Sequence, residues 1–156
     1  MKVIPLTRGK IATVDDADYE ALICHKWMAH TDGRNWYACR TKHKIKMHRV
    51  LMNAPATFQV DHINGDGLDN RRHNLRLVTN KQNCWNQRKK GGMSKYKGVC
   101  WYKDHGKWAA SITQHSKRIF LGYFETEEAA GRAYDQAAHK LFGQFARPNF
   151  SFLTTA

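Results

Sequence analysis

The stretch VDHINGDGLDNRRHNLRLVTNKQN, residues 60–83, decides how this chain is read. With the two residues before it, it begins as a short strand, FQVDHI, and runs into NGDGLDNRRHN, a loop full of turn residues. It returns as a second strand, LRLVT, and opens a helix, NKQNCWNQRKK, behind Thr79 or Asn80 as cap. The order strand, loop, strand, helix would bring Asp61 and His62, at the end of the first strand, against the first turn of the helix, where Asn83 sits. Taken singly, Asp61 reads as a turn carboxylate, His62 as a satisfied strand-end histidine, Asn74 as a loop cap and Asn83 as a solvated helix residue. All four in this order, beside Arg71, Arg72 and Arg76, read instead as a site.

The charge supports that reading. The 156 residues carry a formal +13, unevenly spread: residues 1–40 contribute +1, residues 41–93 contribute +8 and residues 94–156 contribute +4. A positive field centred on the quoted stretch attracts polyphosphate and gives sequence-independent affinity through counterion release. No apolar run approaches the length of a membrane span and no secretory leader precedes the first strand, so the expectation is a cytoplasmic protein with no membrane partner. Cys24, Cys39, Cys84 and Cys100 lack the close pairing of a structural zinc clip and are expected to be free thiols.

Upstream, KVIPLT and KIATVD are expected to form a hairpin across Thr7-Arg8-Gly9, and Asp15, Asp16 and Asp18 a polar turn into YEALICHKW. NWYACRT is strand-like, and IKMHRVLM turns helical until Pro55 closes it. Downstream, Gly91-Gly92 interrupts both periodicities and sets an expected domain boundary, giving domains 1–92 and 93–156. In the second, YKGVCWY, KWAASIT and KRIFLGYF are three antiparallel strands, followed by a helix over TEEAAGRAYDQAAHKLFG. Thr126 is its N-cap and Gly143 its stop, with Ala130, Ala133, Tyr134, Ala137 and Leu141 on one face. Strand alternation sends Val99, Trp101, Ala110, Ile112, Ile119 and Leu121 toward the helix. It sends Cys100, Tyr102, Ser111, Thr113, Arg118 and Phe120 outward. The fold class is α+β.

MHRVLM followed by the opening stretch resembles the HNH endonuclease family carried by phages and mobile introns, motif 45–90, with a ββα-metal core. YKGV, GKWAASI, FLGYFETEEAAGRAYDQAA and GQFARPNF are similar to the APETALA-type DNA-binding domain of plant ethylene-response factors. The first resemblance implies a metal-dependent nuclease leaving 5′-phosphate and 3′-hydroxyl ends. Hydrolysing a phosphodiester needs an activated water and a charge against the developing phosphorane. A carboxylate and an amide carbonyl are hard ligands that suit Mg²⁺ or Mn²⁺. Asp61 and Asn83 are the expected metal ligands, His62 the general base, and Asn74 the residue that holds the loop and orients His62. The family's last histidine is Asn83 here, and Asn80 and Asn86 stand close to it.

The second resemblance implies a sheet laid in the major groove of double-stranded DNA. The plant family's arginines and tryptophans are replaced at several reading positions by Cys100, Tyr102, Ser111 and Thr113, so its recognition sequence does not transfer. Expected DNA contacts are His48, Arg49, Arg71, Arg72, Arg76, Lys97, Tyr102, Lys103, Lys107, Arg118 and Phe120. One site per chain nicks as a monomer; a homodimer or two successive events would cut both strands. The competing reading is a non-catalytic DNA-binding regulator.

Overall fold

The computed structural model describes residues 1–40, 45–87, 89 and 91–150. Thr41 of the expected strand NWYACRT, Arg88 and Lys90 of the expected helix, and the last six residues of the expected second domain lie outside them. The chain divides into two compact units, Met1–Cys84 and Trp85–Ala156. The division precedes Gly91-Gly92 because Trp85 stacks on Phe142, ring centroids 4.5 Å apart, and joins a cluster of the second unit. The architecture is α+β, with several small antiparallel sheets and few helices. No described helix is long and apolar enough to cross a membrane.

In the first unit β1 (Lys2–Pro5) and β2 (Ile11–Val14) pair antiparallel around a tight turn at Thr7–Gly9, where Arg8 takes a left-handed conformation at φ 62°. Helix α1 (Asp16–Ile23) starts earlier than the polar turn expected there, because Asp16 and Asp18 suit the positive end of a helix. Strands β3 (Met28–Thr31), β4 (Trp36–Arg40) and β5 (Ile45–Lys46) make an antiparallel sheet in that order. Helix α2 (Met47–Leu51) follows, then β6 (Gln59–His62), paired antiparallel with β7 (Leu75–Val78), and α3 (Asn80–Trp85). One apolar cluster joins them: Ile4, Val14, Leu22 and Trp27 from the leading elements pack with Met47, Leu51, Val60 and Leu75. The leading residues therefore share one core with the motif, which lets so short a unit bury β6.

The 64–70 loop is pinned to β2 by backbone bonds. Thr13 donates to Leu68 O (2.9 Å) and Asn70 N to Thr13 O (2.8 Å). Arg72 adds a fork onto Asp18 at 2.6 and 2.8 Å.

The second unit is a sheet of order β10-β9-β8, built from β8 (Val99–Tyr102), β9 (Lys107–Gln114) and β10 (Lys117–Phe124), with α4 (Glu127–Phe142) on one face. Thr126 Oγ1 caps α4 by accepting from Ala129 N at 3.1 Å. The buried line of α4 runs Ala130, Tyr134, Ala138 and Phe142, with Ala133, Ala137 and Leu141 flanking it. Val99, Ala110 and Ile112 are buried beneath it as alternation requires. Trp101 and Ile119, expected on the same face, remain exposed. Both sit on the outer strands, and Trp101 lies edge-on to Trp108 instead, centroids 5.2 Å apart.

After α4 the chain is tied back by Asn149, whose amide donates to Lys97 O (3.1 Å) and Asp135 Oδ1 (3.1 Å). Gly98 sits at φ +77°, and a Cβ there would run into the Tyr134 ring and meet Ser111 O at 2.7 Å. Gly98→Ala is therefore expected to destabilise the second unit by about 3 kcal/mol through overpacking and left-handed strain. Chemical denaturation of wild type and variant measures it.

Candidate functional site

Consecutive residues of a strand face opposite ways, and β6 uses this to separate Asp61 from His62 while burying both, at 7% and 6% exposure. On one side the register sets Asp61 opposite Arg76 of β7. Arg76 donates to Asp61 Oδ2 through Nε (2.9 Å) and Nη2 (2.7 Å), a pair mostly withdrawn from water. A carboxylate this buried needs such a partner, since an uncompensated charge would cost several kcal/mol.

On the other side His62 meets His48 of α2, ring centroids 4.8 Å apart and nearly perpendicular, and Tyr37 of β4 at 6.1 Å. His48 is 4% exposed, so it does not present the helix surface expected of a DNA contact. Short α2 turns both Met47 and His48 inward. Its Nδ1 has no hydrogen-bond partner among the described residues. Burial pushes the His48 pKa down to about 2, and the neighbouring His62, Lys46 and Arg49 act in the same direction. Burial also lowers that of His62, against the neighbouring Asn70 side chain and the fields of Asp61, Asp66 and Asp69. Both imidazoles are neutral at pH 7, leaving His62 in the form that accepts a proton. Tyr37 reaches the pair by crossing Gly67, where a Cβ would lie 2.6 Å from its ring.

Asn74 braces the loop. Its Oδ1 accepts from Asn64 N (3.0 Å), and its Nδ2 donates to Asn64 Oδ1 (3.1 Å) and Asp69 O (2.8 Å). The amide beside His62 is Asn70, fully buried, a residue the sequence reading did not single out. Only its place in the DN pair after the glycines hints at it. Asp69 is gripped by Arg71 through Nε and Nη2, each at 2.7 Å.

Helix α3 opens with a reciprocal cap. Thr79 N donates to Gln82 Oε1 (2.9 Å) and Gln82 N to Thr79 Oγ1 (3.3 Å), which settles the cap on Thr79 and not Asn80. Asn83 stands half-buried on this helix, directly after β7.

The other expected DNA contacts divide. The Arg49 guanidinium donates to the carbonyls of Ala54, Pro55 and Phe58, closing the turn after α2, and Lys97 Nζ donates to those of Trp85 and Gln87. With Arg71, Arg72 and Arg76 these side chains serve the fold. Lys103, Tyr102 and Phe120 are exposed, Lys107 pairs with Glu125 at 2.8 Å, and exposed Arg118 donates Nε to Ser111 Oγ at 2.9 Å.

Comparison with known proteins places both units. The profile of the HNH endonuclease family matches residues 53–84 and that of the AP2 domain residues 94–144. An uncharacterised HNH endonuclease of Acanthamoeba polyphaga mimivirus is 34% identical over 112 residues, 68% of this chain and 58% of that protein. Protein 3.8 of Escherichia phage T7 is 33% identical over 94 residues, 60% of this chain and 77% of its own. APETALA2-like protein 2 of Oryza sativa subsp. indica is 45% identical over 58 residues, 37% of this chain but 13% of its own. The chain belongs to the HNH endonuclease family, and its second unit is an AP2 domain.

The loop makes a prediction that does not depend on chemistry. Hydrogen bonding to Arg71 holds the Asp69 carboxyl below the usual range, against its burial. The carboxylate therefore stabilises the fold fully above the unfolded value of about 3.9. That contribution is lost as pH falls through the lower folded value. Asp69→Asn should be less stable than wild type at neutral pH, with the gap narrowing below about pH 4, as followed by urea midpoints across pH.

Proposed function

We propose that this chain is a metal-dependent DNA endonuclease in which the first unit cuts and the AP2 unit grips nearby double-stranded DNA. The observation that carries the reading is the buried Asp61-His62 pair on β6, with a neutral imidazole on one side and a carboxylate on the other, ahead of a β7–α3 step that ends the ββα order. The donor chemistry fits a hard divalent ion: a carboxylate from Asp61 and an amide oxygen from Asn83 suit Mg²⁺ or Mn²⁺, completing a ββα-metal site. The ion, when bound, supplies positive charge to the scissile phosphate and the leaving oxygen.

His62 takes the proton of the attacking water, a task its neutral state allows, and the edge of His48 holds its ring in place. Asn74 fixes the loop that follows His62, and buried Asn70 packs beside the imidazole. Lys103, Lys107 and Arg118 offer phosphate contacts from the AP2 unit. Domains separable near residue 92, a monomer that nicks and a cytoplasmic setting in a bacterial or phage-infected host belong to the same proposal.

One observation favours the second reading, a DNA-binding regulator without turnover: Arg76 already holds Asp61 Oδ2, where a metal would draw on the same carboxylate. Supercoiled plasmid distinguishes the two. Incubated with Mg²⁺ or Mn²⁺ it should give nicked circles, with excess chelator none. Intact plasmid in every tube would favour the regulator. His62→Ala should lower nicking by about 10²–10⁴-fold, the scale of general base catalysis, while the DNA gel shift persists.

Replacing the metal donors separates ligand from scaffold. Asp61→Ala and Asn83→Ala should each abolish nicking and weaken Mn²⁺ binding in calorimetry, whereas exposed Asn80→Ala should leave both near wild type. Equal losses at Asn80 and Asn83 would remove Asn83 from the ligand set.

A further inference from the structure

We infer that Trp85 is a positioning residue for Asn83, its ring fixing the helix that carries the proposed metal ligand. This rests on the metal reading of Asn83 above and names what holds that ligand in place. Helix α3 is six residues long, far short of the length at which a helix stands alone in water, so its stability has to come from packing. Among the described residues none of α3 is buried, and none joins the apolar cluster of the first unit. Asn80, Lys81, Gln82 and Asn83 are polar and Cys84 is exposed, which leaves Trp85 as the one large apolar side chain on the helix.

The two ends of α3 are held differently. At the start the reciprocal cap of Thr79 and Gln82 satisfies backbone donors, and Asn83 N donates to Thr79 O at 3.0 Å. At the end the Trp85 ring lies nearly parallel to that of Phe142, 11° between planes, and packs on the cluster of Ile112, Tyr134 and Ala138. Lys97 Nζ takes the last carbonyls, donating to Trp85 O at 2.7 Å and Gln87 O at 2.9 Å, as a cation suits the negative end of a helix. The division of the chain between Cys84 and Trp85 thus falls inside α3. Trp85 follows Asn83 by two residues, about 3 Å along the axis and about 200° round it. Seating the ring therefore sets the rotation of α3 as well as its end, and with it the direction of the Asn83 amide. Mg²⁺ demands near-ideal octahedral geometry, so a frayed or turned helix would lose the ligand. A chain cut near residue 92 would keep the β6–β7 pair but take this anchor away.

The test uses the full chain, in chelator for amide hydrogen exchange and with Mn²⁺ for calorimetry. Trp85→Ala should speed exchange at the Asn83 amide about tenfold or more while the β6–β7 and β9 amides keep their protection. It should also weaken Mn²⁺ binding about tenfold or more, the scale of losing a group that orients a ligand. Trp85→Phe keeps a ring on Phe142 and should resemble wild type in both. Unchanged exchange at Asn83 in Trp85→Ala would overturn the inference. So would an equal loss of protection in β9, which would make Trp85 a support of the second unit alone. Mn²⁺ bound equally by wild type and Trp85→Ala removes the positioning role and leaves the metal reading standing. A wild type that binds no Mn²⁺, with Asn83 protection still lost in Trp85→Ala, sinks the metal reading and leaves the anchor in place.

Discussion

Burying a carboxylate and an imidazole at consecutive positions of one short strand is the constraint on which the first unit is built. Strand geometry sends the two side chains to opposite faces, so no single partner can compensate both. The unit supplies two environments. Arg76 reaches across the β6–β7 pair to Asp61, and His48, Tyr37 and Asn70 close around His62. Each needs a different element behind it. That is why β4, α2 and the 64–70 loop all converge on a strand of four residues. The pinning of that loop to β2 follows from the same need. A loop carrying Asn70 into a fully buried position must satisfy its own backbone, and Thr13 accepts and donates for it.

The order of elements around the motif was legible because it is written in local signals. Turn residues between two apolar runs, the Thr79-x-x-Gln82 spacing of a reciprocal cap, and Thr126 before paired acids all act within a few residues of themselves. The three-stranded sheet and its helix were legible for the same reason. What escaped were contacts between distant positions. Nothing in MHRV says that His48 turns inward, since that depends on where β4 places Tyr37. Asn70 could not be told from the other loop amides without knowing that β2 would draw it under. Trp101 and Ile119 followed the alternation correctly but sit on the outer strands, which periodicity cannot reveal.

Several of the basic side chains expected at DNA have partners within the fold. Arg49, Arg71, Arg72, Arg76 and Lys97 all hold parts of the fold. Their engagement gives each a structural duty without cancelling the field. Arg49 and Lys97 donate to neutral carbonyls, and the +8 of residues 41–93 is already net of Asp61 and Asp69, the partners of Arg76 and Arg71. A polyanion would still be drawn to this segment by its long-range potential, to which Arg49, Arg71, Arg72 and Arg76 contribute. On the proposed reading, positioning on the phosphates falls to cations with fewer structural duties, and among the expected contacts these cluster on the AP2 unit at Lys103, Lys107 and Arg118. That proposal gives attraction and grip to different units.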